Sequence, residues 1–232
     1  YRAPQIFDED LHIETSGSRK VIHRNSSGLT QETSHSFMAS LDLNKQFGGI
    51  YMNFLVEGFY TLLNDPFANQ YSQPDENGRV IYTRVNAENG ARVRGLNLEM
   101  NIAPAEDLTL KTGLTVQNSV YEEAQEFDEK RFLRTPNSYG YLIFDWQSAA
   151  KFGISSTANY TGRMLVPYFG VNIAEPDQGE LRVSQRFFDM GLKLRYDIML
   201  NGATLRLYTG MKNIFNAYQN DFDTGINRDP GY

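Results

Sequence analysis

The sequence predicts an all-β chain, an antiparallel segment of a transmembrane β-barrel with about eight strands. Three observations carry this. Apolar and polar residues alternate with a period of two over long runs, the runs outlast ordinary soluble strands, and the connections between them alternate short and long.

The alternation is clearest from Ile50 to Leu63. One parity reads Ile50, Met52, Phe54, Val56, Gly58, Tyr60 and Leu62, with no charge; the other reads Tyr51, Asn53, Leu55, Glu57, Phe59 and Thr61. Successive strand side chains point to opposite faces, so the run has one apolar and one wetter face. The split recurs where Leu96, Leu98, Met100 and Ile102 oppose Asn97, Glu99 and Asn101, and where Leu108, Leu110, Leu114 and Val116 oppose Thr109, Lys111, Thr115 and Gln117. It returns where Phe188 to Ile198 oppose Asp189, Lys193, Arg195 and Asp197, and where Leu205, Leu207 and Met211 oppose Arg206, Tyr208 and Lys212. Weaker versions run through Ser34–Asn44, Ser138–Trp146 and Phe152–Thr161. A soluble strand runs ~5–6 residues. A tilted transmembrane strand needs ~9–11, which these runs reach.

The short connections are Lys45–Gly49, Pro104–Asp107, Gln147–Ala150 and Met199–Ala203; the long ones are Asn64–Arg79, Glu122–Thr135, Arg163–Gln185 and the stretch from Asn216 onward. Barrels of the outer membrane have short periplasmic turns and long extracellular loops. The predicted organisation is a loop region at 1–33, eight barrel strands over 34–215, and the start of a last extracellular loop at 216–232. Tyr51, Tyr60, Tyr139, Tyr141, Trp146, Phe152, Tyr160 and Phe215 fall near predicted strand ends, where interfacial aromatic girdles sit.

Composition narrows the function. A net charge of −6 over 232 residues argues against nucleic acid as a partner. The absence of Cys removes disulfide scaffolds, thiol catalysis and Cys-ligated zinc. No apolar run of ~18 residues marks a membrane-spanning helix. A mean hydropathy of −0.48 does not count against a barrel, because only alternate residues face lipid. Tyr1-Arg2-Ala3-Pro4 carries no leader pattern, so a processed start or an internal fragment is expected. No Gly-x-Ser-x-Gly, His-Glu-x-x-His, P-loop or dinucleotide motif appears, so no catalytic residues, cofactor or metal site is predicted. Asp8-Glu9-Asp10, Asp221 and Asp223 lack calcium-loop spacing and read as solvated charge.

Several boxes resemble TonB-dependent receptors of the outer membrane. Tyr1-Arg2-Ala3-Pro4 is similar to the family's Phe/Tyr-Arg-Ala-Pro box, and Asn25–Ser34 resembles a degraded Asn-Pro-x-Leu-x-Pro-Glu-x-Ser segment that lacks proline at Ser26 and Gln31. Val93-Arg94-Gly95-Leu96-Asn97-Leu98-Glu99, Arg134-Thr135-Pro136-Asn137 and Gly210-Met211-Lys212-Asn213-Ile214-Phe215-Asn216 resemble its later strand motifs. The stretch Pro4-Gln5 to Leu11-His12 resembles Bacteroidetes receptors. The resemblance implies a C-terminal part of a barrel of about 22 strands with a plugged lumen. It implies energy-coupled import of a scarce chelate, an iron-siderophore or haem before cobalamin or oligosaccharide. The expected partners are outer-membrane lipid, TonB acting through a plug domain, the chelate itself and a surface lipoprotein. The alternatives are a complete small barrel acting as anchor or adhesin, and a secreted β-sandwich binding module.

Candidate residues follow. His12 and His23 lie between the first two boxes, where the resemblance places the axial histidine of haem receptors; the plain alternative is an exposed loop histidine. Arg92, Arg94, Arg131, Arg134, Arg182 and Arg186 lie near predicted loop bases and suit anionic siderophores; the alternative is balancing acidic loops or bonding lipopolysaccharide phosphates. Lys193, Arg195 and Asp197 share a strand face and are predicted to line the lumen with Glu57, Glu99 and Lys111, against a plug or plain water.

Overall fold

The computed structural model describes residues 2–3, 20–73, 75–76, 79–148, 151–168, 173–175 and 178–218. Its main body is one eight-stranded antiparallel sheet. The wall strands are β2 (Thr33–Phe47), β3 (Ile50–Asn64), β6 (Ala91–Ala105), β7 (Leu108–Tyr121), β8 (Ser138–Gln147), β9 (Phe152–Thr161), β12 (Phe187–Leu200) and β13 (Ala203–Met211). Each pairs with the next wall strand along the chain, giving the order β13-β12-β9-β8-β7-β6-β3-β2.

At one end the strands turn tightly. Phe47 pairs with Ile50 across Gly48 and Gly49, whose φ values are +56° and +85°. Two-residue hairpin turns need this left-handed pair to match the strand twist, and glycine adopts it without a Cβ clash. Leu200 pairs with Ala203 across a turn holding Gly202 at φ +80°. The β6–β7 ladder shifts register between Ile102 and Ala105, where Pro104 has no amide hydrogen to donate.

At the other end the connections are long and carry structure that sequence periodicity did not reveal. β1 (Lys20–Asn25) pairs in parallel with β5 (Arg79–Asn86), which pairs antiparallel with β4 (Phe67–Tyr71). β10 (Leu165–Tyr168) pairs with β11 (Glu180–Val183). These strands are too short to show alternation. They form through long-range pairing, which local propensity does not encode.

Burial divides the molecule in the same way. Ala68, Tyr82, Ala87, Val166 and Tyr168 are buried among the long connections, with Val166 only 1% exposed. The wall instead leaves Phe37, Leu41, Leu43, Leu96, Leu98, Leu114, Val116, Leu205 and Leu207 exposed on a single face. Asn86 binds the connections together: it accepts from the Thr30 amide (2.8 Å) and donates to the carbonyls of Thr30 (3.1 Å) and Asp65 (2.7 Å).

Valine at both Gly48 and Gly49 would force left-handed conformations costing about 1–2 kcal/mol each. The folded, heat-modifiable band on SDS gels should then convert at a lower temperature. Gly58→Ala should move it less, because its added Cβ meets Leu96 at an ordinary 3.6 Å.

Candidate functional site

The register assigns every wall residue to a face, because directly opposed residues share one. One row runs Ser40, Glu57, Asn97, Thr115; another runs Asn44, Asn53, Asn101, Lys111. Across β8, β9 and β12 a row runs Asp145, Ser155, Lys193, followed by Arg195 opposite Tyr208 and Asp197 opposite Arg206. Glu99 lies between the first two rows, opposite Leu55 and Gly113. Glu57, Glu99, Lys111, Lys193, Arg195 and Asp197 therefore all stand on one polar face.

That face is cross-linked by amides. Asn101 donates to Asn53 (3.1 Å), Asn53 donates to Asn44 (2.9 Å) and to Asp42, and the Tyr51 hydroxyl donates to Asn44 (2.9 Å). Asn97 donates to Glu57 (2.9 Å) and accepts from Thr115 (2.8 Å). The Tyr141 ring lies over Gly113, leaving no room for a Cβ there. Near the tight turns sits an ionic cluster. Arg206 makes a bidentate pair with Asp197 (2.8 and 3.0 Å), and Arg195 approaches the same carboxylate at 3.8 Å. The Lys193 ammonium sits 4.4 Å from the Tyr208 ring centroid. Among the described residues, Arg195 Nε and Nη2 and Asp189 Oδ1 are buried without a hydrogen-bond partner. Buried polar atoms are normally satisfied, so these are exceptions within the wall. A pocket bounded by Asp107, Asp145, Lys151, Lys193, Arg195 and Asp197 opens beside them.

Three of the six candidate arginines are committed to ion pairs. Arg131 pairs with Glu129 at 2.7 Å, and Glu129 also accepts the Lys130 and Arg131 amides (2.9 and 3.0 Å). These hydrogen bonds hold the Glu129 carboxyl down at about 2. Arg182 pairs with Glu180 at 2.6 Å and stacks 3.8 Å from the Tyr168 centroid. Arg134 and Arg186 are exposed, and the Arg134 amide ties its loop to Leu165 (2.7 Å). Arg92 and Arg94 stand opposite Leu62 and Tyr60, on the apolar face, and Arg92 pairs with Glu122 at 3.0 Å. His12 lies outside the described residues; His23 lies on β1, in register with Tyr82. Among the described residues no group of three or more His, Cys, Asp or Glu could hold a metal.

A family model described as TonB dependent receptor-like, beta-barrel, matches residues 1–214. The chain belongs to this family. No curated protein sequence matches it. Among solved structures, it is similar to the ferric enterobactin receptor PfeA of Pseudomonas aeruginosa (mutant R480A, with enterobactin) at 18% identity and a TM-score of 0.56, covering 84% of this chain and 28% of that one. The FrpB iron transporter of Neisseria meningitidis gives 14% and 0.58, covering 90% and 31%. The copper transporter OprC gives 14% and 0.60, covering 90% and 32%. At such identities the likeness concerns the fold, and the chain spans about a third or less of each relative's length. TonB-dependent receptors are outer-membrane transporters rather than enzymes, and this chain is an outer-membrane β-barrel segment.

The amide ladder of Asp42, Asn44, Asn53 and Asn101 escaped sequence reasoning. Each residue looked like ordinary strand polarity, and only the register of β2, β3 and β6 brings them together. Phe67 was missed for the same reason. Its ring lies 5.5 Å from the Arg2 guanidinium and 5.9 Å from that of Arg84, its amide donates to Glu32 (3.0 Å), and its carbonyl accepts from Tyr121 (3.1 Å).

Two predictions follow from this geometry. Because Glu129 is depressed from 4.5 to about 2, its tie to Arg131 is complete above 4.5 and is lost as pH falls toward 2. A carboxyl NMR titration should place Glu129 near 2, and Arg131→Gln should return it toward 4.5. Lysine at Leu98, in the middle of the apolar face, should cost about 2–4 kcal/mol of stability in lipid vesicles. Lysine at Ser40, on the polar face opposite Glu57, should cost far less in the same denaturant titration.

Proposed function

We propose that the chain is part of the wall of an energy-coupled importer of metal chelates, with an iron chelate as cargo. One observation carries the reading: a family match over residues 1–214 coincides with a wall whose carboxylates all share one face. On this reading the apolar face meets outer-membrane lipid and the polar face lines a water-filled lumen. The tight turns lie in the periplasm and the long connections outside the cell.

A plug domain fills the lumen and meets Lys193, Arg195 and Asp189, which share the polar face. TonB pulls on that plug. The preference for iron draws on two of the named relatives, the ferric enterobactin receptor and the FrpB iron transporter. Arg134 and Arg186, exposed at the bases of long connections, are the arginines best placed to meet an anionic chelate, with Arg131 and Arg182 behind them in ion pairs. A surface lipoprotein would belong to a larger cargo than a siderophore.

Deleting the full-length gene should abolish growth on one class of ferric siderophore as sole iron source and spare growth on free iron. Restoring the gene with Arg134→Glu and Arg186→Glu should raise the chelate concentration for half-maximal uptake by about tenfold, the worth of a lost charge-assisted bond. Unchanged growth of the deletion strain on every chelate, haem included, would end the importer reading.

A further inference from the structure

Two boxes in the sequence, Tyr1-Arg2-Ala3-Pro4 and Asn25–Ser34, play no part in the proposed cargo contacts. The structure pairs them with each other. Arg2 and Glu32 form an antiparallel bridge in which each amide donates to the other's carbonyl, at 2.8 and 2.9 Å. Both then reach the same residue. The Arg2 guanidinium lies 5.5 Å from the Phe67 ring centroid, and the Glu32 carboxylate accepts the Phe67 amide at 3.0 Å. Arg84 of β5, only 8% exposed, stands 5.9 Å from the same centroid. A cation within ~6 Å of a ring face is attracted by the ring's quadrupole. The second box also holds β5 directly. The Ser26 amide donates to the Arg84 carbonyl (2.9 Å), and Asn86 bonds the Thr30 backbone both ways.

Phe67 leads in turn to the other long connections. Its carbonyl accepts from the Tyr121 hydroxyl (3.1 Å), and the Tyr121 ring centroid lies 4.4 Å from that of Phe132. The backbone around Phe132 folds back on the end of β7. The Tyr121 amide donates to Lys130 (2.7 Å), and the Phe132 amide donates to Ser119 (3.1 Å). Two residues on, the Arg134 amide donates to Leu165 of β10 (2.7 Å). The Ser184 amide donates to Met164 (2.9 Å) and closes the β10–β11 hairpin. The connections from β3 to β6, from β7 to β8 and from β9 to β12 are thus bonded in series, and Phe67 is the first link.

Loosening Phe67 would take an acceptor from Tyr121, a donor from Glu32 and a ring from two guanidinium groups. Contacts that share a residue are lost together, and such sharing makes local opening cooperative.

We infer that the two boxes are a clasp on Phe67, and that through it the three long connections open as one gate. Arg2 and Glu32 bind no cargo on this assignment; they set how often the gate opens. Its bearing on capture rests on the importer reading, which puts Arg134 and Arg186 on two of the connections so joined. The clasp itself does not rest on it.

Hydrogen exchange of the full-length receptor in detergent, read by mass spectrometry with no cargo present, tests the clasp. Peptides holding Ala87, Arg134 and Ser184 report on the three connections, since the Ala87 amide donates to Pro66 (2.8 Å) within the first. Arg2→Gln should speed exchange in all three by a common factor of about threefold, the worth of one exposed cation–π contact. Phe67→Ala should give the same pattern at about tenfold, through loss of a half-buried ring. Peptides from the middle of β3 and β6 are the reference and should not change. Acceleration confined to the Ala87 peptide overturns the inference, because the gate would then open piece by piece. Unchanged exchange throughout Arg2→Gln also overturns it, as expected of a box that only binds cargo. If Phe67→Ala does not fold, Tyr121→Phe removes only the bond to the Phe67 carbonyl and puts the same question. It should speed all three peptides together, and a change in one alone again overturns the clasp. Neither result touches the importer reading, which growth of the deletion strain decides.

Discussion

A strand that crosses hydrocarbon has no water to bond its amides, so its neighbours must satisfy them. The rest of this structure depends on that ladder and on its register. With a side-chain period of two, a slip by one residue would carry Glu57, Glu99 and Asp197 to the apolar face and bring Leu98 and Leu194 to the polar one. Each wall strand pairs with its chain neighbour, so the register is set locally. Gly48–Gly49 pins one hairpin and the turn at Gly202 another.

The wall and its long connections are stabilised differently. The wall is one sheet thick, and most of its exposed large aliphatic side chains share one face. Its stability depends on what lies against that face. The connections instead behave like a small water-soluble fold. They bury Ala68, Tyr82 and Val166, satisfy backbone groups through Asn86, and fasten to the wall through Tyr121 and Phe67. The β1–β5–β4 and β10–β11 sheets give these connections a fixed scaffold.

The polar face is neither a core nor a bare surface. Amide ladders close the rows around Asn53 and Asn97, and the Asp197–Arg206 pair closes the end near the tight turns. Unsatisfied atoms of Arg195 and Asp189 remain between them. This arrangement is partly closed and partly open.

The sequence by itself determined the strands of the wall, their two faces and their hairpin order. Those features follow from local rules: alternation at period two, glycine where φ is positive, and chain breakers between runs. Glu57, Glu99, Lys111, Lys193, Arg195 and Asp197 were legible as one polar set because parity within a strand survives any pairing. What happens between strands far apart in the chain was decided only by the tertiary structure. Pairing brought β1 to β5 across more than fifty residues and assembled the asparagine ladder. Arg92 and Arg94 share the parity of Leu96 and Leu98, so their place on the apolar face was legible within the strand. A sequence records which residues alternate; only hydrogen bonds between distant strands decide which of them become neighbours.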